Sequence, residues 1–423
     1  MQFTWVKIYI IYYNIKGFLI DVGSRDETHE TSGALLALKN TYLKTLKHTN
    51  ETINYGMIQM SGGDMQMDYD QERTYFKGHC IEYDTIDMFQ MMVDVALEPR
   101  SVLAANVARS KNKKSHDLHK YLEHYDPFAN NQELLLRTAY GYHTLGMPRL
   151  GLEHNLDNID ARMIQQFIMD NITPRKCLIV ASGIKNHKEY VELVKERLGE
   201  LLPVPEHQYQ RQTAEYIGGE YRTWTETPNT NITVAFESVP WSSEDVSAFY
   251  VMNTLIGNAT SFSSGGPGKG MYCRAITNLM QQHNFVDSAS ALNSHFSDSG
   301  LFGMTIEGPG SHSQELYSVL IEELGRLREK IPEEELARAK NILKMNILMA
   351  MERQEDRLEE IARNYMTFGD LTFHQYCDRI DAVSSDQINR AASKALSGKP
   401  TMLVTGGAIN LVPNITDVQR QLN

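Results

Sequence analysis

Cysteine is scarce in this chain, and no two cysteines are close. Cys80, Cys177, Cys273 and Cys377 are scattered over 423 residues without a CxxC pair, which excludes a zinc knuckle and a disulfide framework and fits a reducing compartment. Long apolar runs are missing as well. The opening MQFTWVKIYIIYYNIKGFLIDVG carries an apolar patch, but the patch is far shorter than the roughly 20 residues a membrane-crossing helix needs, so no transmembrane segment is expected. The same stretch lacks the Arg and Ser richness of an organelle transit peptide. For an imported protein, the targeting segment is therefore expected to have been removed or to lie outside this sequence. Positive charge is in deficit too, with 41 Lys and Arg against 53 Asp and Glu, a net charge of -12. Such a surface repels nucleic acid and acidic membranes and favours basic partners.

Familiar catalytic signatures are also absent. Neither a GxSxG elbow nor an HExxH pair occurs. The stretch SFSSGGPGKGM, residues 261–271, is no Walker loop: Lys269 is followed by Gly270 rather than Ser or Thr, Ser263 stands at the first glycine position, and the apparent helix AFYVMNTLIG precedes it instead of a strand. In HDLHKYLEH, His116, His119 and Glu123 would share one helical face. They follow the lysines of RSKNKKS, which disfavour a divalent cation, so the face reads as solvated helix.

What is present is an ordinary globular composition, 42% hydrophobic and 22% charged. Its length suggests two domains of about 200 residues each. The two halves resemble each other. ELLLRTAYGYHTLG followed by IDARMIQQFIMDNITPRKCLIVASG parallels RLEEIARNYMTFG followed by VSSDQINRAASKALSGKPTMLVTGG, with Gly146 and Gly369 separated by 223 positions and Pro174 and Pro400 by 226. Two matches in order point to an internal duplication with a period longer than that of solenoid repeats.

Each copy closes with an amphipathic helix, a proline break and a β-rich apolar run, which is α+β or α/β layering. The polar stretch at 201–221, with Pro203, Pro205, Gly218 and Gly219, marks the boundary. The division is thus 1–205, a linker at 206–225, and 226–423. A long helix is expected over TSGALLALKNTYLKTL. Another is expected from Pro332, its first helical position, with Leu336, Ala339, Leu343, Ile347 and Ala350 as its buried stripe.

The duplication and SFSSGGPGKGMYCR together resemble the mitochondrial processing peptidase family, whose members include the core proteins of the cytochrome bc1 complex. GFLIDVGSRDE, VALEPR, GMPRLG and EELARAKNIL match it as well, so the likeness runs from about Gly17 onward. The resemblance implies an α+β fold of two homologous domains, each an antiparallel-rich mixed sheet covered by helices. Active members are inverzincins with HxxEH, where two imidazoles and a distant carboxylate bind zinc and the glutamate activates water. Here Leu36, Lys39 and Asn40 stand at the first His, the Glu and the second His. Leu36 has no lone pair to donate, and Lys39 puts a cation where a base must sit. A self-sufficient zinc protease is thereby excluded.

The glycine loop is the signature of the family's α subunits, which lack a working zinc site and pair with a catalytic β subunit. The resemblance therefore implies a noncatalytic chain, with zinc in the partner β subunit and none bound here. It also implies substrate contact at Gly265, Gly266, Pro267, Gly268, Lys269 and Gly270, because a Gly-Pro-Gly flap changes conformation at low steric cost. Presequences are basic amphipathic helices, and carboxylates attract them; the positions matching the family's acidic residues are Glu335, Glu359 and Glu360. One departure concerns the flap's upstream arm: Gly257, Asn258, Ala259 and Thr260 replace the usual glycine run, which predicts a stiffer arm. A second is the Tyr- and Ile-rich segment that stands where the family's first strand is expected. The implied location is the mitochondrial matrix or the matrix side of the inner membrane. The alternative role is a structural core subunit of respiratory complex III, contacting other subunits of that complex, and one chain can fill both roles.

Overall fold

A computed structural model describes residues 14–40, 58–60, 62–81, 84–97, 127–156, 158–172, 176–182, 184, 186–201, 211–261, 272–368 and 373–422. They fall into two compact units that interleave along the chain. One gathers the described residues of Met1–Glu133, Tyr142–Thr213 and Met351–Met366, and the other those of Leu134–Gly141, Ala214–Ala350 and Thr367–Asn423.

The first unit contains four strands: β1 (Asn14–Ile20), β2 (Asp64–Tyr69), β3 (Thr74–Cys80) and β4 (Cys177–Ser182). They lie in the order β2-β3-β1-β4, each neighbour antiparallel. Along β3, TYFKGHC alternates between buried and half-buried side chains, the period of two expected of a strand with one face on a core. Phe18 and Phe76 meet Phe89 and Met92 of the helix Thr85–Leu97, and Ile164 and Phe167 of the helix Ala161–Asn171, in one apolar cluster. Asp160 starts the second of these helices by accepting the Met163 N–H at 2.8 Å, which satisfies one of the unpaired amides of a first turn. Leu19, pointing away from Phe18, packs with Val180 and with Leu358 and Ala362 of the helix Gln354–Phe368.

The second unit has six strands: β5 (Gly219–Trp224), β6 (Asn229–Glu237), β7 (Asn258–Thr260), β8 (Ser288–His295), β9 (Gly300–Pro309) and β10 (Pro400–Gly406). Their order is β5-β10-β6-β9-β8-β7, and only β5 and β10 run parallel. Phe249, Leu316, Leu320, Ile388 and Ala392, from the helices Val246–Ile256, Ser313–Gly325 and Ser385–Leu396, cover this mixed sheet in a single core with Val234 and Met304. Ser384 caps the third helix by accepting the Gln387 N–H at 3.1 Å, as Asp160 does in the first unit.

The fold is α+β, as the sequence predicts, and the duplication is visible in it. The order β2-β3-β1-β4 recurs as β8-β9-β6-β10. In register, the row Met67, Phe76, Phe18, Ile179 corresponds to Ala291, Met304, Val234, Met402. Ile179 and Met402 are 223 positions apart, the shift between Gly146 and Gly369.

Three local features differ from expectation. The stretch read as linker contains β5, whose polar GEYRTW hides an edge strand with its backbone paired to β10. The helix expected from Pro332 spans Glu333–Glu352, with the Pro332 carbonyl accepting from Leu336 N–H just outside it. Leu336, Ala339 and Leu343 are buried and Ile347 packs at the core's edge, but Ala350 is exposed, because the helix continues past the core it covers. Of the helix expected over TSGALLALKNTYLKTL, the described part is Ala34–Lys39.

Candidate functional site

The helix Ala34–Lys39 carries the positions where the family's metal motif would stand. Leu36 is 2% exposed and part of the first unit's core. Lys39 points outward, donating from Nζ to Oδ1 of Asp68 on β2 at 2.8 Å. Asn40 ends the helix, its N–H donating to the Leu36 carbonyl at 3.0 Å. A buried leucine and an ammonium already paired with a carboxylate do not fit a zinc ion. Among the described residues, no three His, Cys, Asp or Glu side chains come together in a way that could hold a metal.

Beneath this helix Glu27 is buried. Its Oε2 accepts from Gly33 N–H at 2.9 Å and its Oε1 from Leu35 N–H at 2.8 Å. Loss of hydration pushes its carboxyl up to about 8, although those amides pull the other way. The neighbouring residues of GFLIDVGSRDE are equally occupied. Arg211 donates to both carboxylate oxygens of Asp26 at 3.0 and 2.9 Å and to Oδ1 of Asp21 at 3.0 Å. Arg25 donates to Oε1 of Glu72 at 2.6 Å. This family-like stretch takes part in an ionic network, buried at Asp26, Arg25 and Glu72, that ties the 211–212 segment to the first unit.

The glycine loop positions Gly265, Gly266, Pro267, Gly268, Lys269 and Gly270 lie outside the described residues, as do His116, His119 and Glu123. The loop's two roots are described. Its upstream arm, expected to be stiff, is strand β7, paired with β8, and Ser261 N–H donates to the Asp287 carbonyl at 2.8 Å. Gly257 adopts φ 69°, and a Cβ there would sit 2.5 Å from Cβ of Cys273. Only glycine accepts both that dihedral and that approach. Downstream, Cys273 and Arg274 lead into a π-helical turn, Ala275–Met280, a rare geometry often found beside functional segments.

Each of the three predicted carboxylates has a basic partner. Glu335 receives Nε and Nη2 of Arg274 at 2.6 and 3.1 Å, a bidentate pair at the foot of the glycine loop. Glu359 is paired with Lys77 of β3, and Glu360 with Arg363 one helical turn on. Glu335 belongs to the second unit, Glu359 and Glu360 to the first. Sequence reasoning named the carboxylates but not these partners. The arginine at 274 stands in the MYCR that closes the glycine motif, so its proximity to the loop was readable; its pairing with a residue 61 positions away was not.

The Peptidase M16 inactive domain matches residues 158–343. This chain is thus similar over that segment to the Peptidase M16 inactive domain. It is related to mitochondrial-processing peptidase subunits: it is 27% identical over 404 residues to the subunit alpha of Solanum tuberosum, covering 93% of this chain and 78% of that protein. It is also 25% identical over 410 residues to a probable subunit beta of Arabidopsis thaliana, covering 96% of this chain and 76% of that one. A chain of Complex III2 from Candida albicans, Inz-5 bound, shares the fold of this chain with a TM-score of 0.77 at 17% identity, over 97% of this chain and 94% of that one.

Proposed function

We propose that this chain is a noncatalytic, α-type subunit of a mitochondrial processing peptidase. It holds basic presequences while a β subunit, carrying the zinc and an intact HxxEH, cleaves them. The observation that carries the reading is the state of the helix Ala34–Lys39, where Leu36 is core and Lys39 is paired with Asp68. Overall identity does not separate α from β relatives, which match at 27% and 25%; GGPGKGMY supports the α assignment.

On this reading Gly265 to Gly270 contact the peptide, and Glu335, Glu359 and Glu360 offer carboxylates to its basic side chains. A chain with net charge -12 would favour such a ligand before contact is made. The relatives are named as mitochondrial-processing peptidase subunits, which supports a mitochondrial location, in the matrix or on the matrix side of the inner membrane.

The test is reconstitution. Mixed with a β subunit bearing HxxEH, the chain should enable presequence cleavage that neither protein performs alone, and deletion of residues 265–270 should cut turnover while leaving the heterodimer intact. Unchanged turnover after the deletion would remove the loop from the mechanism. Gentle detergent extraction checks the role in complex III: co-migration with cytochromes b and c1 would add a core-subunit role, and a purely soluble heterodimer would remove it.

A further inference from the structure

Arg274 is held by one carboxylate and aimed at a second. Its Nε and Nη2 engage Glu335, whereas its Nη1 lies 3.7 Å from Oε1 of Glu323. Among the described residues, neither Arg274 Nη1 nor Glu323 Oε1 has a hydrogen-bond partner. Both side chains are buried, at 9% and 1% exposure, while Glu335 is 19% exposed. The other oxygen of Glu323 is already satisfied by Asn278 at 3.0 Å and Arg326 at 3.2 Å. A buried donor and a buried acceptor have thus been left facing each other just beyond hydrogen-bond range. Leaving such groups unmade is costly. Burial also pushes the Glu323 carboxyl upward, against the pull of Asn278 and the two arginines.

We propose that Arg274 has two seats and stands in for the ligand. On Glu335 it occupies the carboxylate that an arginine of a basic peptide would take. When the peptide's guanidinium arrives, Arg274 moves the short distance onto Glu323, completing the contact now left open and releasing Glu335. The more exposed carboxylate is then the ligand's and the buried one is the arginine's resting place. The exchange trades the pair with Glu335 for one with Oε1 of Glu323 and buries no unpaired charge, which a simple displacement of Arg274 would do at high cost. Arg274 follows the loop's last glycine, Gly270, by four positions, so its choice of seat is sensed at the loop's root. Beside it, Tyr272 is exposed and lies under the guanidinium of Arg338, so the approach to Glu335 already accommodates an arginine plane.

This inference rests on the basic-peptide reading above, and the experiment separates the two. The probe is a fluorescein-labelled amphipathic helical peptide rich in arginine, titrated into the full chain by anisotropy, beside a version with every arginine replaced by glutamine. Glu335→Gln should weaken binding of the arginine peptide roughly tenfold, the scale of one charge-assisted hydrogen bond. Arg274→Gln should tighten it severalfold, because an internal competitor has been removed, and the tightening should vanish in Arg274→Gln combined with Glu335→Gln. Glu323→Gln, which leaves the Arg274–Glu335 pair untouched and so guards against a folding defect in the arginine variant, should weaken binding by removing the second seat. Wild-type binding that survives all of these changes would retain the basic-peptide reading and overturn the exchange. Equal weakening in Arg274→Gln and Glu335→Gln would make the pair merely structural and also overturn it. Absence of any preference for the arginine peptide in the wild type would overturn both.

Discussion

Nζ of Lys39 donates to Oδ1 of Asp68 at 2.8 Å and lies 5.9 Å from the centre of the Tyr69 ring. In an active relative this position would hold the base that activates water; here it holds an exposed ion pair, with side chains 40% and 65% accessible. Exposed pairs of this kind contribute roughly 0–1 kcal/mol. Lys39→Ala should therefore shift urea unfolding by less than about 1 kcal/mol and leave turnover of the reconstituted peptidase unchanged. Leu36→Ala, one turn earlier on the same helix, should cost about 2–5 kcal/mol because it opens a core cavity. A Lys39→Ala variant of normal stability but lost turnover would return chemistry to this helix.

Glu27 makes a pH prediction. Unfolded, its carboxyl titrates near 4.5; folded, burial raises it to about 8. Between those values the folded chain retains a proton that the unfolded chain has lost, so stability falls as pH rises. The contribution is complete below 4.5 and gone once pH has passed through about 8. Urea midpoints followed across this window should decline for the wild type. Glu27→Gln, which cannot ionise, should be less stable at the acid end, where it loses an acceptor to the Gly33 or Leu35 amide, and its decline with pH should be shallower. Parallel curves for the two proteins would show that Glu27 does not titrate in this interval.

The duplication was legible because helix periodicity, caps and terminal apolar strands are local signals. Ile179 and Met402 occupy equivalent places, and their spacing can be read directly. The burial of Leu36 was legible for a similar reason: an aliphatic side chain on an apolar helix face has no partner but the core. Strand β5 was not legible, because an edge strand paired through its backbone needs no apolar alternation, and GEYRTW reads as a polar connection. Nor were the partners of the acidic residues. Arg274 meets Glu335, and Lys77 meets Glu359, only after distant segments have folded together, so a carboxylate that looks available in sequence can already be engaged.

The interleaving of the two units was equally hidden, and it yields a prediction about where damage appears. The duplicated helices Pro127–Tyr140 and Gln354–Phe368 each contribute to the unit built mainly from the other half of the chain. Leu358 packs with Leu19 and Val180 in the first unit. It lies so close to β1 that a Cβ on Gly17 would stand 2.5 Å from its Cδ2. Tyr140, in turn, donates to the Gly300 carbonyl at 3.2 Å within the second unit. Leu358→Ala should therefore cost about 2–5 kcal/mol, and although the substitution lies in the second half of the sequence, the lost hydrogen-exchange protection should appear in β1 and β4, with β6 and β9 retaining theirs. Uniform loss across both sheets would mean that the units unfold as one, and preserved protection in β1 and β4 would mean that Leu358 is not holding the first sheet. The expected pattern requires only that a cavity is felt first by the side chains lining it, and those of Leu358 belong to the other half of the chain.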